Sequence, residues 1–431
     1  MAGVLSRFPP FAFLLLYVMN YKLAIAGLMV TVAMYVQLPL LPTMLLYAAP
    51  SYTAVQAAAV AAMPGVGVFA LGCFSSYLVQ HYRRNMVCIV ALLALAVLSY
   101  LLFYLTGNVA TLSGSMLRSS AYFGSGTGLF ILLAVRFAQG AVFGLAQMVL
   151  SSTLVIDTCE SPRRTAANQA AAWFARFALA LGPMAAVALL MYREHIIDAV
   201  GWDAGGWGYA AVAFAFRAAL LASALLCVVS AALVMAVRFP FKAPEEIVPH
   251  VSTDRFFLSQ GKWLFINLVF LVAAVGALLY ADMTVAFYAL LMLGLLLALL
   301  AENTVCSNVG AGSAVQVGML LVLFAAALFI CGGAVARWLA PLFLGCGVGV
   351  SGARFLSLFI TLSPHCRRGT AQSTFFLARE LGLYAGVFIF SAMSPFEGNG
   401  MTARLALLLS LVSFVMFFVF TNKWYLRHKN R

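Results

Sequence analysis

About twelve apolar stretches follow one another along this chain, each near the roughly 20 residues a helix needs to cross a hydrocarbon core. They fall at 20–46, 53–80, 85–106, 129–157, 167–191 and 209–237, then at 263–281, 284–301, 313–331, 338–362, 370–393 and 403–422. Composition agrees: 65% of residues are hydrophobic, 9% are charged, and mean hydropathy is +1.04. A water-soluble domain carries about a quarter charged residues, so the bilayer is the solvent here. Backbone groups in lipid must be satisfied internally, and the pattern predicts an all-α membrane protein with about 12 spans as two six-helix bundles.

The first run, from Phe8 to Tyr47, is too long for one upright helix. Residues 8–19 are expected in the interface, with Asn20 and Lys22 at the inner membrane edge and Pro39 and Pro42 breaking the helix near its outer end. No small-residue cleavage pattern marks a signal peptide. Segments assigned to one side carry Arg7, Arg83-Arg84, Arg163-Arg164, Arg238, Lys242, Arg255, Lys262, Arg367-Arg368 and the basic C-terminus. The other side has only Arg118, Arg193, Arg337 and Arg404. The positive-inside rule then puts both termini in the cytoplasm and accounts for the net charge of +13 without nucleic acid. No basic, aromatic-interleaved soluble patch exists to bind one.

The eight cysteines form no CxxC pair and have no histidine at metal-ligand spacing, so neither a disulfide framework nor a metal site is expected. The long polar, proline-bearing stretch 238–262 reads as a cytoplasmic linker between an N-terminal bundle, 1–237, and a C-terminal bundle, 263–431. An internal repeat supports that division. Placing Arg163-Arg164 on Arg367-Arg368 also places Asn168 on Gln372, Arg176 on Glu380 and Gly182 on Gly386. Repeat-built transporters bind substrate at the repeat interface.

The fourth span contains Leu132, Arg136, Gln139 and Gly140, similar to the L-x-x-x-R-x-x-Q-G signature of the major facilitator superfamily of transporters. Asp157 followed by Arg163-Arg164 resembles that family's loop between helices four and five, and Gly182-Pro183 resembles its antiporter signature. Ala178, Ala186 and Val187 stand where further glycines belong. The loop after helix two keeps Gly72, Arg83 and Arg84 of the family's G-x-x-x-D-R-x-G-R-R but lacks its aspartate. The resemblance covers essentially the whole chain. It implies a substrate site near the midplane between the bundles, exposed to one side at a time.

Charges inside spans cost at least about 2.5–3.5 kcal/mol on insertion scales and should face a cavity or a partner. Arg136, Arg176, Arg217, Arg354, Arg379 and Glu380 are such charges. By resemblance Arg136 lines the cavity; a structural clamp between helices one and four is the other reading. Helix five of the resembling fold faces helix eight, and helix eleven faces helix two. Arg176 is then expected to meet Glu302 or Asn303, and Glu380 to meet Arg83 or Arg84, as gating pairs. Alternatively Glu380 is neutralised by Arg379 or Arg176. For proton coupling, Glu380 is the first candidate and Asp157 the second.

The expected lining adds Tyr35, Gln37, Gln56, Gln139, Gln147, Trp173, Asn267 and Tyr384. Its arginine excess favours neutral or anionic amphipathic solutes. The expectation is a monomeric secondary transporter in the plasma (inner) membrane, exporting such a compound on a proton gradient without a cofactor. Uptake of a sugar, organic acid or peptide-like solute, or a non-transporting receptor or scaffold, are the alternatives. An embedded enzyme is not expected: the histidines are solitary, and no G-x-S-x-G, H-E-x-x-H or phosphate loop appears.

Overall fold

The structure is a computed structural model that describes residues 20–48, 52–110, 126–159, 164–191, 209–239, 249–305, 308–364, 367–397 and 399–429. The expected interfacial segment 8–19, Arg163, the loop around His195 and residues 240–248 of the linker lie outside these. Among the described residues every regular element is helical. Eleven helices are long and apolar enough to cross a membrane: α2 Ala54–His81, α3 Arg84–Thr106, α4 Gly126–Asp157, α5 Arg164–Met191, α6 Val212–Met235, α7 Ser259–Leu278, α8 Val285–Asn303, α9 Ala311–Cys331, α10 Ala334–Leu362, α11 Arg368–Met393 and α12 Gly400–His428. They match the twelve expected runs from the second onward. The main differences are that α12 continues past 422 through a π-helical turn, Phe417–Thr421, and α10 starts four residues early.

The first span, α1, is Tyr21–Tyr35 followed by Leu41–Ala48. Asn20 caps it, accepting from the Lys22 backbone N–H at 3.1 Å. The helix stops where the sequence requires it to, because Pro39 and Pro42 cannot supply the hydrogen bonds a continuous helix would need. The broken turn 36–40 is wholly buried, which is where irregular backbone at membrane depth is tolerated.

Packing within helices one to six recurs within seven to twelve. The pairs α1–α5, α1–α6, α2–α4, α3–α4 and α3–α6 are matched by α7–α11, α7–α12, α8–α10, α9–α10 and α9–α12. Glycines make the closest of these approaches possible. A Cβ at Gly67 would lie 2.2 Å from the Phe137 carbonyl oxygen of α4, and one at Gly294 would lie 2.3 Å from the Leu342 oxygen of α10. Gly182 and Gly386, aligned by the sequence repeat, press α5 on α1 and α11 on α7 in the same manner.

The two sets meet mainly through α2 with α11 and α5 with α8 and α10. At the end carrying Arg83, Arg164 and Arg368, hereafter the basic end, bonds cross directly between them. Arg368 donates to Thr165 Oγ1 at 3.0 Å, and Gln169 donates to Ser357 Oγ at 2.9 Å. The described part of the linker adds a bridge. Ser252 N–H bonds the Cys73 carbonyl at the foot of α2, while the Arg255 and Leu258 N–H groups bond Thr370 and Thr374 of α11. The Phe256 ring occupies the space a side chain at Gly72 would fill.

Candidate functional site

Charged side chains converge where the two sets of helices face each other. Glu380, on α11, is fully buried. Its Oε1 accepts from the Tyr35 hydroxyl of α1 at 2.7 Å and from Arg379 Nε at 3.0 Å, with Arg379 Nη2 as a third donor. Tyr35 thus ties the first six helices to the last six through one carboxylate oxygen; Oε2 has no hydrogen-bond partner among the described residues. Charge-assisted bonds of this kind are about twice as strong as neutral ones. One turn further on, Tyr384 lies against Gly65 of α2, where a Cβ would sit 2.5 Å from the tyrosine Cβ. Only glycine admits α11 this closely.

A second cluster lies on the α5 side. Trp173 Nε1 donates to Glu302 of α8 at 3.2 Å, and Glu302 faces Arg354 Nε of α10 at 3.8 Å. Arg176, one turn along α5, is 1% exposed, and its guanidinium lies 4.4 Å over the Trp173 ring. Its far side rests on α10 at Gly352, where a Cβ would be 2.8 Å from Arg176 Nε. None of the three guanidinium nitrogens has a hydrogen-bond partner among the described residues. Of the two partners the sequence offered Arg176, Asn303 turns back to its own Leu299 carbonyl and Glu302 is held by Trp173.

Several expected lining residues serve elsewhere. Arg136 is fully buried and donates to Gln37 Oε1 at 2.7 Å, Gln139 Oε1 at 2.9 Å, and the carbonyls of Val60 at 3.3 Å and Ala61 at 3.2 Å. Gln37 continues to Ser223 of α6 at 2.8 Å, and Gln139 to Ser99 of α3 at 3.3 Å. Arg136 is therefore bound inside the first six helices as a clamp on α1, α2 and α4, with its charge directed at neutral acceptors. Asn267 bonds the Ser413 carbonyl of α12 at 3.0 Å, a helix-to-helix contact. Gln147 joins α4 to Thr31 of α1, and Gln56 closes the capping box that starts α2.

Neither arginine of the pair Arg83 and Arg84 reaches Glu380. Arg84 pairs with Asp157 at the basic end, and Arg83 is exposed there. Glu380 lies twelve residues into α11, about 18 Å deeper at helical rise, with Arg379 as its counter-ion. Asp157 is likewise held at that end and away from the central cluster.

Two further features leave no mark in the sequence. A cavity of about 20 Å³, room for about one water, lies among α1, α4, α5 and α11, lined by Gly27, Gln147, Ser151, Gln372 and Arg379 among others. Beside it, Leu150–Leu154 of α4 widen into a π-helical turn, a form that recurs at functional sites. The repeat-related amides Asn168 and Gln372 are both buried, each with side-chain atoms that have no hydrogen-bond partner among the described residues. Among the described residues no three His, Cys, Asp or Glu side chains come together as a metal site.

No protein-family model matches the chain, and no curated protein matches it by sequence. Solved structures do. The human organic anion transporter MFSD10 (TETRAN) aligns at TM-score 0.62 with 14% identity, covering 95% of this chain and 100% of its own. A bacterial homologue of the iron transporter ferroportin in the outward-facing state aligns at 0.58 with 18% identity, covering 94% and 98%. A bacterial homologue of the human lysosomal transporter Spinster, inward-facing and occupied, aligns at 0.60 with 10% identity, covering 96% and 98%. The chain has the major facilitator fold. These neighbours are transporters, and at such identities the likeness extends to architecture alone. Eleven candidate spans in that architecture make this a multi-pass membrane protein.

Proposed function

We propose that the protein is a secondary active transporter that moves a small amphipathic organic solute, neutral or anionic, by alternating access between residues 1–237 and 263–431. The observation that carries this is the seam itself. Charges too costly for lipid are placed where the two sets of helices meet, and hydrogen bonds that cross it depend on them: Tyr35 to Glu380 and Trp173 to Glu302. Bonds of that kind hold one arrangement and are released in another, as a two-state element requires.

The positive-inside rule favours a cytoplasmic basic end and cytoplasmic termini. With that orientation, the conformation described above is closed toward the cytoplasm. Glu380 is the coupling carboxylate in this reading, because protonation removes the charge that holds Arg379 and Tyr35 together. Export from a monomer in the plasma (inner) membrane is the direction and setting proposed.

The test uses the purified protein in proteoliposomes with an imposed pH gradient and a panel of labelled amphipathic acids, amides and amines. Gradient-driven movement of at least one compound is expected. Glu380→Gln should keep exchange of that compound across the membrane and lose the response to the gradient. Failure of every compound to move in either direction would remove the transporter reading, and an unaltered gradient response in Glu380→Gln would remove the coupling role.

A further inference from the structure

We infer that Arg176 anchors the anionic end of the transported solute, a carboxylate or comparable monoanion carried on an aromatic or aliphatic body. This rests on the transporter reading above and narrows it to a substrate class.

The charges at the seam do not balance around Arg176. Glu380 is committed to Arg379 and Tyr35 through its Oε1. Glu302 accepts from Trp173 and faces Arg354. Glu302 attracts Arg176 through space, Arg379 repels it, and no carboxylate among the described residues bonds it. Arg136 has the same charge but four acceptors, whereas Arg176 has none among the described residues. A guanidinium cannot escape by losing its proton, and a buried charge with no bonded partner is strongly unfavourable. A residue held at such cost at a moving interface fits a ligand that supplies the missing acceptors.

The surroundings specify the ligand further. A planar fork of donors suits a carboxylate taken by two parallel hydrogen bonds. Trp173 and Phe177, whose ring centroids are 5.9 Å apart, offer an apolar surface beside it for the body of the solute. Gly352 is the device that lets the guanidinium lie on α10, since any side chain there would displace it. In the closed seam the group is sealed between the Trp173 ring and α10. The anion therefore reaches it when the halves part, and binding is coupled to the same movement that transport requires.

The experiment uses the full-length protein in nanodiscs, with thermal unfolding followed at increasing concentrations of three matched probes: 3-phenylpropionate, its neutral amide and the corresponding amine. The acid should stabilise the wild type and bind at least tenfold more tightly than the amide. Arg176→Met should bring the acid down to the affinity of the amide while leaving the amide unchanged. Arg176→Lys, which keeps the charge and loses the fork, should fall between. Without ligand, Arg176→Met should unfold at the same temperature as the wild type or higher, because an unpaired buried charge has been removed.

The inference is overturned by equal binding of acid and amide, by an acid preference that survives Arg176→Met, or by no stabilisation of the wild type by the acid. A lower ligand-free midpoint in Arg176→Met also overturns it, by marking Arg176 as a structural stack on Trp173. Proteoliposomes that move amides or amines but no acids would sink this inference and leave the transporter reading standing. Proteoliposomes that move nothing would sink the transporter reading first.

Discussion

Replacing Arg136 by methionine separates a structural clamp from a substrate-contacting residue. The substitution removes donors from the Val60 and Ala61 carbonyls; Ala61 keeps the Gly65 N–H of the α2 ladder, but the residue four past Val60 is Pro64, which has no N–H. The Val60 oxygen, Gln37 Oε1 and Gln139 Oε1 have no such reserve and are left buried without their donor. Each of the three stranded polar atoms costs about 1–3 kcal/mol, or about 3–9 kcal/mol together. Removing a buried charge offsets part of this, leaving an expected net loss of about 2–4 kcal/mol. Reversible unfolding of the purified protein in mixed micelles gives the difference directly. Adding Gln37→Met and Gln139→Met should recover at least half of the loss, because two of the three stranded oxygens go with them. Unchanged stability in Arg136→Met combined with lost solute binding would refute the clamp and restore Arg136 to the cavity.

Three further substitutions probe the packing and the basic-end bridge. Gly67→Ala brings a Cβ to 2.2 Å from the Phe137 oxygen, and Gly294→Ala brings one to 2.3 Å from the Leu342 oxygen. Each forces a helix pair apart, so each should cost about 1–3 kcal/mol and lower the thermal midpoint, while unchanged midpoints would contradict the close approach. Phe256→Ala removes the ring seated on Gly72 and should release the Ser252 bond to the Cys73 carbonyl. Maleimide modification of Cys73, followed by peptide mass spectrometry, should then accelerate several-fold, and an unaltered rate would show that the linker bridge does not hold this end closed.

The fold was legible because its determinants are one-dimensional. Span lengths follow from apolar run length, the break in α1 from Pro39 and Pro42, and the pseudo-symmetric packing from a repeat that aligned Gly182 with Gly386. The site was legible only in depth. Spacing along α5 and α11 placed Arg176, Arg379 and Glu380 well inside the membrane, and Trp173 and Tyr384 do face the seam. What spacing cannot supply is rotation about the helix axis and the choice of partner. Arg136 turns into its own half, Asn267 toward α12, and Glu380 bonds its sequence neighbour in place of the distant Arg83 or Arg84. The bridging role of 252–258 is not legible in the prolines and charges that mark the linker; Phe256-Phe257 within it is the signal that points to it. The water-sized cavity and the π-helical turn of α4 arise from tertiary packing and leave no pattern in the sequence.

Separation of the two halves at the basic end is the movement on which the transport reading depends. Nitroxide labels on the exposed positions Arg164 and Arg367, each replaced by cysteine in a chain whose native cysteines are serine, report that separation by pulsed electron resonance in nanodiscs. The expected result is a short distance matching the closed seam and a second, longer population that grows when Tyr35→Phe removes the bond between the halves or Glu380→Gln strips it of its charge. A single short distance, unchanged by those substitutions, by pH and by ligand, would contradict alternating access in this protein.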